Sequence, residues 1–172
     1  MSVIDSNSQD MHGELDRTAA YRCVTAWAHF ERDDISDITT DADGDFYGSL
    51  GSISFDYSAK NKLLAVRAAA QPYARRLSKR SDILAELHQI EIDDPKSVAY
   101  ARFELVSGRW QRDHSEPWLY LRLDITTGSQ SSDDFVKRLK ILGDTAHLWF
   151  RIRLAEVTDR VNKRDRQQKY AQ

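Results

Sequence analysis

Hydrophobic positions change their period several times along the chain, and each change marks an element. Leu15, Ala19, Cys23, Ala26, Trp27 and Phe30 recur at steps of three and four, the spacing of one helix face. Glu14 and Asp16 stand where a helix dipole favours acidic groups, and the pattern predicts a helix ending near Arg32. The following stretch, DDISDITTDADGD, consists of residues that prefer turns and reads as a loop. The period then drops to two. DFYGSL begins a strand, and SISFDYS sets Ile53, Phe55 and Tyr57 against Ser52, Ser54 and Asp56. AKNK is a turn in which Asn61 can adopt the left-handed conformation. LLAVRAAA resumes the alternation, with Leu64, Val66 and Ala68 opposite Arg67, and Gln71-Pro72 stops it.

The second half begins with another helix. Ser81 reads as a helix N-cap with Asp82 in the first turn, and Ile83, Leu84 and Leu87 supply a short apolar face closed by IDDP. AYARFELVSG sets Ala101, Phe103 and Leu105 against Arg102 and Glu104. WLYLRLDIT gives the strongest strand signal, with Leu119, Leu121, Leu123 and Ile125 opposing Trp118, Tyr120, Arg122 and Asp124. Ser131 and Asp134 match a capping box. Behind them Phe135, Leu139, Leu142, Ala146, Trp149 and Val157 keep a helical period for more than twenty residues. The order α-β-β-β-α-β-β-α predicts an α+β fold: an antiparallel sheet with helices packed on it. Residues 1–13 read as a flexible N-terminal tail, 14–161 as a single domain, and 162–172 as a polar C-terminal tail that frays.

Composition narrows the function. The 172 residues suffice for one domain with a real core, and 30% are charged. No apolar run approaches the roughly 18 residues that span a bilayer, and the polar N-terminus lacks a signal-peptide pattern, so a cytoplasmic protein without membrane contact is expected. Cys23, the one cysteine, allows no intrachain disulfide and reads as a buried, inert thiol. The net charge of −2 hides an asymmetry, because residues 1–50 carry 11 Asp and Glu but only 3 Arg. This acidic third is either an ordinary solvated surface or a face for a basic partner.

Searching for chemistry returns little. Asp41, Asp43 and Asp45 alternate as the first ligands of a calcium loop do, but the sixth and twelfth positions are Phe46 and Ser52 instead of Gly and Glu. A turn is expected there. His12, His29, His88, His114 and His147 show no metal-ligand spacing. His114, beside Asp113 and Glu116, has the best setting for acid–base work. A catalytic or ligand-sensing pocket would have to join at least two of His88, His114, His147, Asp124 and Arg122. There is no dinucleotide, Walker or nucleophile-elbow motif. Neither an enzyme nor a cofactor is expected. YARRLSKR and the C-terminal RIRLAEVTDRVNKRDRQQK are basic, but a pI of about 6.2 argues against nucleic acid. WLYLRLDIT carries large side chains on both faces. Its Trp118 and Tyr120 face is covered either by another subunit or peptide, or by the long final helix.

The segments SISFDYSAKNKLLAVRAAA, SDILAELHQIEIDDPKSVAYARFEL, WLYLRLDI and SSDDFVKRLKILGDTAHLW, in that order, resemble the class I type III secretion chaperones (the Tir chaperone family) and the related YbjN-like domains over roughly residues 15–161. The resemblance implies a non-enzymatic homodimer that holds an extended segment of a client protein by strand addition and side-chain pockets. It places client contacts at Trp27, Phe30, Phe46, Tyr47, Phe55 and Tyr57, and dimer contacts at Trp118 and Tyr120. The alternative from the acidic third is an immunity or antitoxin-type protein that caps a folded partner enzyme.

Overall fold

A computed structural model describes residues 14–71, 80–88, 91–94, 98–111, 117–128 and 130–171. Helix α1 (Arg17–Glu31) begins where Asp16 accepts a hydrogen bond from the Ala19 amide at 2.7 Å. It ends at Arg32, which takes a left-handed conformation and returns its amide to the last turn. A 3-10 turn (Ile35–Asp37) leads to β1 (Thr39–Thr40), β2 (Phe46–Leu50), β3 (Ile53–Ser58) and β4 (Leu63–Gln71). Helix α2 (Ser81–His88), β5 (Glu91–Asp94), β6 (Val98–Val106), β7 (Trp118–Ile125) and α3 (Ser132–Tyr170) complete the order. The seven strands form one sheet in the order β1-β2-β3-β4-β7-β6-β5, with every neighbouring pair antiparallel. This is the α+β class and roughly the order expected.

Helices cover one face of the sheet. Residues of strict period two form that face: Phe46 and Leu50 of β2, Ile53, Phe55 and Tyr57 of β3, Leu64, Val66 and Ala68 of β4, and Leu119, Leu121, Leu123 and Ile125 of β7. Register keeps them aligned, as Phe55 opposes Val66 and Val66 opposes Leu123. Helix α1 contributes Ala20, Val24 and Trp27. Helix α3 contributes Phe135, Leu139, Leu142, Ala146, Val157 and Val161, and packs against β4, α1 and α2. Two buried polar ends find acceptors inside this core. Trp27 Nε1 donates to the Leu50 carbonyl at 2.9 Å, and the Tyr57 hydroxyl donates to the Leu15 carbonyl at 3.0 Å.

Four local expectations change. Lys62, not Asn61, takes the left-handed conformation in the β3–β4 turn. Residues read as the close of α2 form β5, because Glu91 and Ile92 pair with Arg102 and Ala101 and tertiary pairing overrides a short apolar run. Thr39 and Thr40, placed in a loop, pair with Tyr47 and Phe46. Residues 162–170 continue α3 instead of fraying. Lys163 pairs with Asp159 one turn back at 2.8 Å, and Arg160 and Arg164 reach Glu86 of α2 at 3.5 and 2.9 Å. Among the described residues no helix is long and apolar enough to cross a membrane. The expected tail at 1–13 and the basic segment from Tyr73 to Lys79 lie outside the described residues.

Candidate functional site

The sheet face away from the helices carries the chemistry. On it stand Tyr47 and Ser49 of β2, Ser54 and Asp56 of β3, Arg67 and Ala69 of β4, Trp118, Tyr120, Arg122 and Asp124 of β7, and Arg102 and Glu104 of β6. These are the second members of each alternating pair. A cleft of about 950 Å³ opens over its middle. One wall is the stretch from Asp33 to Thr39. The other is the β6–β7 loop with Arg109, Trp110 and Gln111. Tyr47, Trp118, Tyr120, Ser49, Ser54 and Ala69 form the floor.

Residues 107–111, which follow β6, lie back across the sheet. Gln111 donates its amide to the Gly108 carbonyl at 3.0 Å, and its side-chain oxygen accepts from the Gly108 amide at 2.6 Å. A side chain at Gly108 would run into the Trp110 ring, so only glycine lets the indole fold over the turn. Arg109 and Trp110 then grip different parts of the face. The Arg109 guanidinium lies 4.4 Å above the Tyr47 ring and meets Asp56 at 2.7 Å, Asp41 at 3.3 Å and Asp45 at 3.5 Å. The Trp110 indole covers Arg67, whose guanidinium carbon is 4.1 Å from the ring centre, and stands edge-on to Tyr120 with Nε1 3.4 Å from its hydroxyl. Burial pushes the Tyr120 phenol above its ordinary value.

The same segment engages the aspartates of DADGD. Asp41 Oδ1 accepts the amides of Asp43 and Asp45 at 3.1 and 3.0 Å, and Asp45 Oδ1 accepts the Ala59 amide at 2.8 Å. Gly44 supplies the positive φ of the turn. The remaining oxygens of Asp41 and Asp45 face Arg109. Asp41 and Asp45 thus hold a turn together, and both dock an arginine from 64 to 68 residues away. Much of the rest of the acidic third also works within the fold. Asp33 accepts from the Gly51 amide at 2.6 Å, Asp34 accepts from the Ser36 amide at 2.9 Å, and Glu14 pairs with Lys62.

Beside the cleft a charge ladder crosses three strands. Arg67 opposes Arg122, and Arg122 opposes Arg102, so three guanidiniums lie side by side. Carboxylates bridge them. Glu104 accepts from Arg67 at 2.6 Å and from Arg122 at 2.8 Å, and Asp124 accepts from Arg122 at 2.6 Å and from Arg102 at 3.0 Å. Burial pushes the Glu104 carboxyl up, but the hydrogen bonds and charges of Arg67 and Arg122 outweigh it and hold the group below its ordinary value.

Most residues that the resemblance assigns to client binding are core. Trp27, Phe46, Phe55 and Tyr57 are all buried on the helix-covered face, and Phe46 stacks on Tyr57 with ring centres 5.0 Å apart. Alternation separates the two faces of a strand without saying which one the helices cover, so these aromatic residues carry no surface signal. Phe30 is 46% exposed, lies tilted against Trp27 with ring centres 5.2 Å apart and borders an apolar groove with Ala26 and Val136. Tyr47 is in the cleft, beneath Arg109.

The two residues assigned to a dimer interface are both in the cleft as well. Tyr120 is only 4% exposed within the single chain, where Trp110 and not the final helix covers it. Trp118 is half-buried, stacked against Tyr120. Sequence reading missed Arg109 and Trp110, which sit in a segment legible only as a connection. The pair Arg122 and Asp124 does come together, but in the ladder and outside the cleft lining. His147 leans on the Ala70 carbonyl at 3.3 Å, away from both. His114 lies outside the described residues. Burial raises the Cys23 thiol above its ordinary value, in keeping with an inert role. No protein-family model, curated protein or solved structure matches the chain.

Proposed function

We propose that the protein is a non-catalytic binding module that receives an extended segment of a partner protein in the cleft on the open face of its sheet. One observation carries the reading: a concave floor of Tyr47, Trp118 and Tyr120 lies between two loop walls on a rigid antiparallel sheet. Aromatic faces bury much area at little conformational cost, and the hydroxyls, carboxylates and guanidinium around them supply orientation. The described lining residues include no His, Cys or Lys. Of its four serines, Ser49 and Ser54 hydrogen-bond each other at 3.0 Å. Such groups recognise a ligand more readily than they transform one. The function expected of the secretion chaperones, holding a client segment, is kept, and the contact surface moves from the core aromatics to the cleft.

A peptide array probed with the purified full chain tests this. Capture of a small set of related peptides is expected, and Trp118→Ala should weaken each by about tenfold. No capture, or capture indifferent to that substitution in a folded variant, would sink the proposal.

A further inference from the structure

The charge ladder has an imbalance at one end. Within the ladder three guanidiniums share two carboxylates, an excess of one that the three carboxylates around Arg109 offset over the face as a whole. Arg102 can leave its share to water, since its side chain is 47% exposed. Arg67 cannot, because the residue is 4% exposed. Its Nε is taken by Glu104, while its Nη1 is buried with no hydrogen-bond partner among the described residues. A buried guanidinium donor left unpaired is costly, and such donors in native proteins find water, an ion or a ligand. The position of this one is informative. Its cross-strand neighbour Ser54, its strand neighbour Ala69 and the covering Trp110 all line the cleft. The Trp110 indole, itself part of the cleft lining, thus covers the guanidinium.

We infer that the partner segment bound in the cleft is acidic, and that one of its carboxylates pairs with Nη1 of Arg67 after the Trp110 indole turns aside. The inference rests on the segment-binding reading and names its chemistry. The cleft has room for the displaced ring, and a carboxylate supplies the second half of a fork that Glu104 already begins. Completing the ladder brings it to three positive and three negative groups. The indole in turn acts as a gate, occupying in the free protein the flat face of Arg67 that faces the cleft.

Matched peptides test this: acetyl-Phe-Glu-Leu-amide and acetyl-Phe-Gln-Leu-amide, titrated into the full chain and followed by tryptophan fluorescence and by arginine side-chain ¹⁵N resonances. The Glu peptide should bind about tenfold more tightly, the scale of one hydrogen bond to a charged group. It should shift an Arg67 side-chain resonance in the unmutated protein. In Arg67→Gln the preference should vanish, and in Arg102→Gln it should persist. Preference lost in Arg109→Gln but kept in Arg67→Gln would place the carboxylate at the cleft rim and overturn the inference. Equal binding of the two peptides would also overturn it, leaving water as the partner of Nη1 and the segment-binding reading intact. Binding of neither, together with an empty array, would remove both.

Discussion

At the scale of single residues, the open face is governed by who shares which carboxylate. Glu104 holds two arginines that the sheet register forces together, and like charges directly opposite on a sheet are otherwise destabilising. Its carboxyl is held below its ordinary value, so the stabilisation is fully present above the unfolded pKa and fades as pH falls through the lower, folded one. Glu104→Gln should cost about 1–3 kcal/mol at pH 7. The loss of stability of the native protein as pH falls below the ordinary glutamate pKa of about 4.3 should flatten in the variant, as read by urea unfolding at each pH. An equal slope in both proteins would assign the acid sensitivity elsewhere. Residue identity alone did not announce this role. Glu104 reads as the polar member of an alternating pair, and only the pairing of β4 with β7 and of β7 with β6 sets it between Arg67 and Arg122.

At the scale of elements, local pattern and tertiary contact divide the work. Period two in β3 and β7, and the Ser131 cap that accepts the Asp134 amide at 3.2 Å, were legible because each is a property of a few adjacent residues. The cleft was not, since its walls come from chain segments about 70 residues apart that meet over strands chosen by register. Gly48 shows how closely one wall is built. A side chain there would stand 2.7 Å from the Asp37 carbonyl and 2.8 Å from Ile38. The 3-10 turn therefore lies on β2 only because residue 48 has no side chain. Gly48→Ala should push the turn outward and destabilise the fold by about 1–3 kcal/mol, with backbone amide shifts concentrated at Ser36–Thr39. Shifts spread evenly over the sheet would contradict that picture.

At the scale of the whole molecule, apolar burial sits on one side of the sheet and paired charge on the other, with α3 as the long member that spans the helical layer. Its 39 residues extend about 58 Å at ~1.5 Å per residue, and Val161 is its last buried position. Ending the chain after Asn162 should therefore lower stability by no more than about 1 kcal/mol, mostly through the Arg164 contact with Glu86. Thermal unfolding of the shortened protein checks this, and a collapse of the transition would mean that the helix end supports the body. The sheet ends on both sides in short strands, two residues at β1 and four at β5, with a register shift in the latter. Among the described residues, the outermost strands therefore offer a guest strand only short stretches to pair with. A guest lying across the face instead must satisfy Tyr47, Trp118 and Tyr120 with its own side chains. Backbone pairing accepts almost any sequence, whereas side-chain pairing discriminates. On the proposed reading, the cleft is suited to one dedicated partner and poorly suited to general holding of unfolded chains.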